Sequence, residues 1–243
     1  MPLTTAHPLI TWPIWRLSRR WLDLPALIVG STIPDITYFL HLRTMANIGH
    51  SGYGIIIQGI PAALCLLLIF SFVMLQPLRA LSPGGIGRLL PEAYPFFPAT
   101  RLAVIILSIF IGAWSHVFWD SFTHNGWFFM RNIPGLDTQI GPLRAYKYLQ
   151  YTSGVLGTLG VIIWAIRVTR QRPPARERIA NRVVPVALIL GIVVVTTYFA
   201  LGKNNPLTPY IVLIQTTIGL IAGTYLGLLA FSIIDRLRPF RRV

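Results

Sequence analysis

The sequence predicts an all-α, polytopic transmembrane helix bundle of about six spans, and three observations carry that expectation. Hydrophobic residues make up 54% of the 243 residues and charged residues only 12%, about half the charge that keeps the surface of a soluble domain wet. The apolar residues gather into runs close to the ~20 residues that a helix needs to cross a bilayer. The cations gather between those runs, where 21 Lys and Arg against 7 Asp and Glu give a net charge of +14. In a soluble chain that balance points to nucleic acid. Placed between apolar segments, it is explained by membrane topology and anionic lipid, so the expected partner is the lipid bilayer and not nucleic acid.

The segments follow in order. The opening MPLTTAHPLITWPIW lacks the charged start, apolar core and small-residue cleavage site of a signal peptide, so insertion is expected to rest on the spans themselves. Residues 24–42 form a broken span, interrupted by Pro34 and Asp35. Five stronger runs follow at 55–75, 102–119, 153–166, 183–201 and 210–234. Pro61 lies in the first of these, where neighbouring helices accommodate it. Small residues at 154–160 and 219–227 suit close helix packing. The single cysteine, Cys65, lies in an apolar run as a core or lipid-facing side chain, and its being alone excludes an internal disulfide or a cysteine-based zinc site. With no soluble second domain apparent, 1–243 reads as one integral membrane domain.

The loops set the orientation. Arg167, Arg170, Arg172, Arg176, Arg178 and Arg182 cluster in one connecting segment, and Arg236, Arg238, Arg241 and Arg242 near the C-terminus. The positive-inside rule places both clusters in the cytoplasm, and the two spans between them agree. Residues 43–54, 120–152 and 202–209 then face the other side. Arg16, Arg19 and Arg20 fall in the cytoplasm if 24–42 crosses fully.

The chemistry collects on that outer side. His116, Asp120 and His124 recur every four residues, so a continuing helix puts all three on one face. An imidazole and a carboxylate one turn apart can chelate one metal ion, or one can orient the other. Ionisable groups within the membrane boundary are costly and usually functional. The plainer alternative is that His116 and Asp120 hydrogen-bond each other to satisfy a polar bundle interior. Asp35 sits beside Pro34, whose freed backbone groups belong next to a cavity, and His50 starts the next span on the outer side. His41 reads as structural. His7 is cytoplasmic if 24–42 is the first crossing, and outer if 8–22 dips into the bilayer as a short partner helix.

Several of these residues occur in motifs. Met1-Pro2-Leu3-Thr4-Thr5-Ala6-His7-Pro8, Val29-Gly30-Ser31 with Pro34-Asp35 and Tyr38-Phe39, Gly49-His50-Ser51, Ser115-His116 with Trp119-Asp120-Ser121-Phe122-Thr123-His124, and Tyr146-Lys147 with Leu149-Gln150 together resemble the bacterial multi-pass family of domain of unknown function DUF4184, over about residues 1–170. More distantly, the order His, Asp, His, then His-x-x-x-Asp resembles membrane-bound metal-dependent hydrolases, and the metal site of zinc-dependent phospholipase C and single-strand nucleases. That likeness implies His7, Asp35, His50, His116 and Asp120 as metal ligands, with Asp35 or Asp120 bridging two ions, and it favours the dipping N-terminal segment. The chain departs from those enzymes in starting at Met1 rather than a processed Trp, and in having only His124 in place of a second His-x-x-x-Glu. A mono- or dinuclear site is expected rather than a trinuclear one.

The expected chemistry is hydrolysis assisted by a divalent metal at the outer face of the bacterial cytoplasmic membrane. Histidine and carboxylate ligands suit zinc, with manganese or iron as the other options. Asp35 or Asp120 would take the proton of a water, and Arg131, Arg144 and Lys147 of the outer loop would hold a phosphate or other anion. A phosphoester lipid is the natural substrate at that depth. Tyr146 and Gln150 would close the pocket or cap the bundle. The rival is a non-enzymatic bundle or transporter whose polar groups line a cavity or hold a structural metal, with a haem-binding bundle ranked after it. One geometric condition follows: His50, His116 and Asp120 more than about 8 Å apart could not share an ion whose ligand bonds are near 2 Å.

Overall fold

The structure is a computed structural model, described here for residues 4–18, 21–45, 48–82, 87, 90–170, 179–203 and 208–242. Met1, Pro2 and Leu3 of the opening motif, and Arg19, Arg20, Arg172, Arg176 and Arg178 of the basic segments, lie outside the described residues. The chain forms helices α1 (Pro8–Ser18), α2 (Leu24–Thr32), α3 (Ile36–His41), α4 (Gly52–Leu81), α5 (Ala99–Thr123), α6 (Phe128–Asn132), α7 (Ala145–Arg170), α8 (Val183–Leu201) and α9 (Pro209–Leu237). Two two-residue strands, β1 (Gln139–Ile140) and β2 (Leu143–Arg144), make an antiparallel hairpin before α7.

The all-α class and the helical spans are as the sequence predicts. Five helices, α4, α5, α7, α8 and α9, are long and apolar enough to cross a membrane. The segment read as a broken span is helical and interrupted, α2 and α3 being joined by a 3-10 turn at Ile33–Asp35, and neither piece is among the five long apolar helices. Pro34 and Asp35 thus sit in the break. The expected span at 153–166 needs correction: α7 begins at Ala145. Its first turns carry Tyr146, Lys147 and Gln150, which a hydropathy reading assigns to a loop because they are polar.

Two compact units divide the chain. The first comprises Met1–Asp35, Asn47–Leu66 and Pro95–Trp164. In it α2 packs on α5 at backbone contact. A Cβ at Gly30 would lie 2.3 Å from the Ile109 carbonyl oxygen, and one at Gly112 would lie 2.3 Å from that of Leu27. Asp23 fixes the start of α2. It caps the Ala26 N–H at 2.8 Å, donates its own N–H to Ser108 Oγ at 2.8 Å and pairs with Arg101. The N-terminal segment closes on α7 in the same way, because Gly157 and Gly160 leave room for Ala6 and Leu9, and Thr5 and Thr158 hydroxyls meet at 3.0 Å. Small residues let helix backbones approach where lipid gives no hydrophobic drive between helices.

The second unit comprises Ile36–Ala46, Leu67–Tyr94 and Ala165–Val243. Its core is the α8–α9 pair, in which Gly219, Gly223 and Gly227 meet Thr197, Val193 and Ile189 in turn. Gln215 donates to the Ala200 carbonyl at 3.0 Å. Phe231 packs with Ala80, Leu81 and Ile179.

Candidate metal centre

Each polar side chain of the first unit is delivered by a local feature of the chain. The break at Ile33–Asp35 exposes Asp35 to the interior, where it is 1% exposed. A single 3-10 turn, Ile48–His50, places His50 just ahead of α4. Four-residue spacing on α5 aligns His116 and Asp120, both buried. Roughly seven residues of helix separate His116 from the end of α5, about 10 Å at 1.5 Å per residue. His7 closes the 3-10 turn Thr4–Ala6 and is buried with its ring stacked on that of His116, centroids 3.7 Å apart. The structure therefore groups His7 with the other polar residues, the placement the dipping N-terminal segment implies.

The distances describe a common space. His50 Nε2 lies 3.3 Å from Asp35 Oδ1 and 3.7 Å from Asp120 Oδ2, and His116 Nε2 lies 3.8 and 3.3 Å from the same two oxygens. A tetrahedral ion with bonds of about 2.0–2.1 Å would separate its ligand atoms by roughly 3.3–3.4 Å. The four edges fall at or just above that spacing. His116 supplies a further test. Its Nδ1 donates to the Ser31 carbonyl at 2.7 Å, while the buried Nε2 has no hydrogen-bond partner. A neutral imidazole so oriented turns a lone pair toward two carboxylate oxygens, an arrangement that a cation between them would relieve. A backbone carbonyl on the far nitrogen is the usual second partner of a metal-bound histidine. The residues fit a divalent ion.

Because Nδ1 of His116 is committed, only Nε2 can ligate. Two trios within 4.8 Å, His7–His116–Asp120 and Asp35–His50–His116, both include His116, and with one nitrogen to offer it cannot complete both. Asp120 faces two ways: Oδ2 looks to His50 and His116, and Oδ1 to His7 Nε2 at 3.6 Å and His124 Nδ1 at 3.5 Å. Asp35 has no such freedom, since its Oδ2 accepts the Thr4 hydroxyl at 2.6 Å. Of the two candidate bridging carboxylates, Asp120 has the geometry.

Residues 1–233 match the family described as domain of unknown function (DUF4184). The chain belongs to that family. The match extends past the 1–170 stretch to which the motifs pointed and takes in α8 and most of α9. No curated protein and no solved structure matches the chain.

In this DUF4184 protein the remaining expected site residues divide. His124 is not on a continuing helix, because α5 ends at Thr123 and His124 is its cap. Its Nδ1 stays near Asp120, while its Nε2 turns to the Gln150 amide at 3.1 Å. Lys147 is in the first turn of α7 rather than a loop, and donates to Gln150 Oε1 at 2.8 Å. Lys147, Gln150, His124 and Asp120 thus form one hydrogen-bonded arm. Arg144 is exposed on the hairpin and pairs with Asp137, and Arg131 is exposed with its guanidinium beside Gly126; neither reaches the centre. His41 holds the Thr37 carbonyl at 2.9 Å, a structural role. Sequence reasoning missed Thr4 as the orienting partner of Asp35. Its only signal was its place three residues before His7. It also missed a cavity of about 510 Å³ lined by Leu9, Ile10, Trp12 and Trp119 and, from the centre, by His7 and Asp120.

Proposed function

We propose that this protein is a metal-dependent hydrolase acting at the outer face of the bacterial cytoplasmic membrane on a phosphoester lipid. The observation that carries the reading is the set of four donors, from His50, His116, Asp35 and Asp120, around one space into which an orphaned buried Nε2 points. Such a donor set suits zinc, with manganese or iron as alternatives. A bound divalent ion supplies Lewis acidity, acidifying water and stabilising charge on an ester oxygen. The chain does the rest. Thr4 and the Ser31 carbonyl hold Asp35 and His116 in place. Asp120 Oδ1, flanked by His7 and His124, accepts the proton released as the water oxygen bonds to phosphorus. It returns that proton to the departing alcohol oxygen as the ester P–O bond breaks. Arg167, Arg182, Arg236, Arg238, Arg241 and Arg242 support a cytoplasmic C-terminus, which puts the centre near the opposite surface.

One observation favours a second reading, a transporter or structural bundle: a proton on His116 Nε2 would also satisfy both carboxylates. The test uses purified protein in nanodiscs, stripped of metal and reloaded with zinc or manganese, given bis-p-nitrophenyl phosphate and a fluorescent phospholipid. Turnover is expected only after reloading, and Asp120→Asn should lower it by about 10²–10⁴-fold, the range for a lost general acid or base. A metal-loaded sample that turns over neither substrate supports the second reading.

A further inference from the structure

The cavity beside the centre has a chemistry of its own. Its walls are apolar side chains of α1, α5 and α7, among them Leu9, Ile10, Trp12 and Trp119. The hydroxyls that line it are already engaged within the protein. Ser153 donates to the Gln150 carbonyl at 3.2 Å and accepts from Trp119 Nε1 at 3.3 Å, and Thr123 Oγ1 meets His124 Nδ1 at 3.1 Å. The ionisable groups of its lining are His7 and Asp120, both of the centre. Two of its lining residues, Leu156 of α7 and Trp12 of α1, are 66% and 37% exposed, and Val155 and Leu159 beside Leu156 on the apolar helix α7 are 53% and 48% exposed. A cavity of about 510 Å³ is of ordinary size for a single small ligand, within the usual range of roughly 300–1,000 Å³. Apolar space of that size, open to a bilayer, is filled by hydrocarbon rather than by water, which finds no partners there.

We propose that this cavity takes one hydrocarbon chain of a membrane lipid, entering sideways between α1 and α7, and so holds the lipid's polar head against His7 and Asp120. That this lipid is also the one hydrolysed rests on the reading above. Recognition is then by the tail, and the bond attacked is a P–O ester bond of the head that the tail positions. No cation of the hairpin is needed to hold the head, in keeping with the engagement of Arg144 by Asp137.

The test is photolabelling in nanodiscs of phosphatidylethanolamine and phosphatidylglycerol, with a palmitoyl lysophospholipid carrying a diazirine at its chain end. Labelling is expected to saturate and to concentrate on residues 9–13 and 153–157. Excess unlabelled lysophospholipid should compete it away. Ile10→Trp, which fills the cavity, should lower it at least tenfold, whereas Leu17→Trp, on the exposed part of α1, should leave it unchanged. The same pattern is expected on metal-free protein and on His116→Ala, which separates this proposal from the hydrolase reading. Saturable labelling without any turnover retains the chain site and removes the hydrolase. Labelling that never saturates, and that spreads equally to the exposed Leu190 and Val194 of α8, overturns the chain site even where metal-dependent turnover is found.

Discussion

Helices α5 and α8 are both long and apolar enough to cross a membrane, yet they bury different things. On α5 the buried face carries Ser108, Ser115, His116, Asp120 and Thr123, whereas α8 buries Pro185, Thr196 and Ala200. Overall apolarity placed both in the same solvent; only the residues on the hidden face distinguish a helix that builds a site from one that builds a wall. The same contrast holds between the two units. Buried His7, Asp35, His116 and Asp120 converge in the first. In the second, Gln215 Nε2 donates to the Ala200 carbonyl and Asp235 pairs with Arg242, and no comparable cluster of imidazoles and carboxylates occurs among its described residues.

That contrast breaks most sharply at the donors themselves. His116→Ala or Asp120→Ala should lower zinc affinity by more than about 100-fold, beyond the 10–100-fold typical of a lost outer-shell partner. Gln215→Leu in the second unit should leave affinity unchanged in the same titration. Next in size is Thr4→Val, which frees Asp35 Oδ2 without touching a donor. It should cost about 10–100-fold in zinc affinity and leave a measurable site. Gly112→Leu forces a side chain against the Leu27 backbone and should destabilise the protein by about 1–3 kcal/mol or more, as overpacking does. Gly191→Ala on α8, where a Cβ meets nothing within 4 Å, should stay within about 0.5 kcal/mol, both read from thermal unfolding in detergent. The smallest effect is expected at Gln150→Leu, which severs Lys147 from His124. Metal content should hold while turnover falls several-fold, a split that elemental analysis and the nanodisc assay read separately.

Much of the fold was legible because a span is a composition before it is a structure. The apolar runs around 183–201 and 210–234 became α8 and α9, and Pro34 with Asp35 marked the break between α2 and α3. The start of α7 was hidden because hydropathy registers lipid contact, and Tyr146 and Gln150 turn inward. In the candidate site, four-residue spacing revealed His116 and Asp120, since they share one helix. His7 remained open between two sides of the membrane, because only the fold-back of α1, allowed by Gly157 and Gly160, brings it to His116. Thr4 and the cavity were invisible for the same reason: both arise from contacts between segments 31 to about 150 residues apart.

The central claim is that His50, His116, Asp35 and Asp120 close around a cation heavier than a proton. Elemental analysis of the detergent-purified chain tests it most directly. At least one zinc, manganese or iron ion per chain is predicted, falling to background in His116→Ala while the variant keeps its helical content. A wild-type sample that carries none of these metals, and takes up neither zinc nor manganese when they are added, would contradict it.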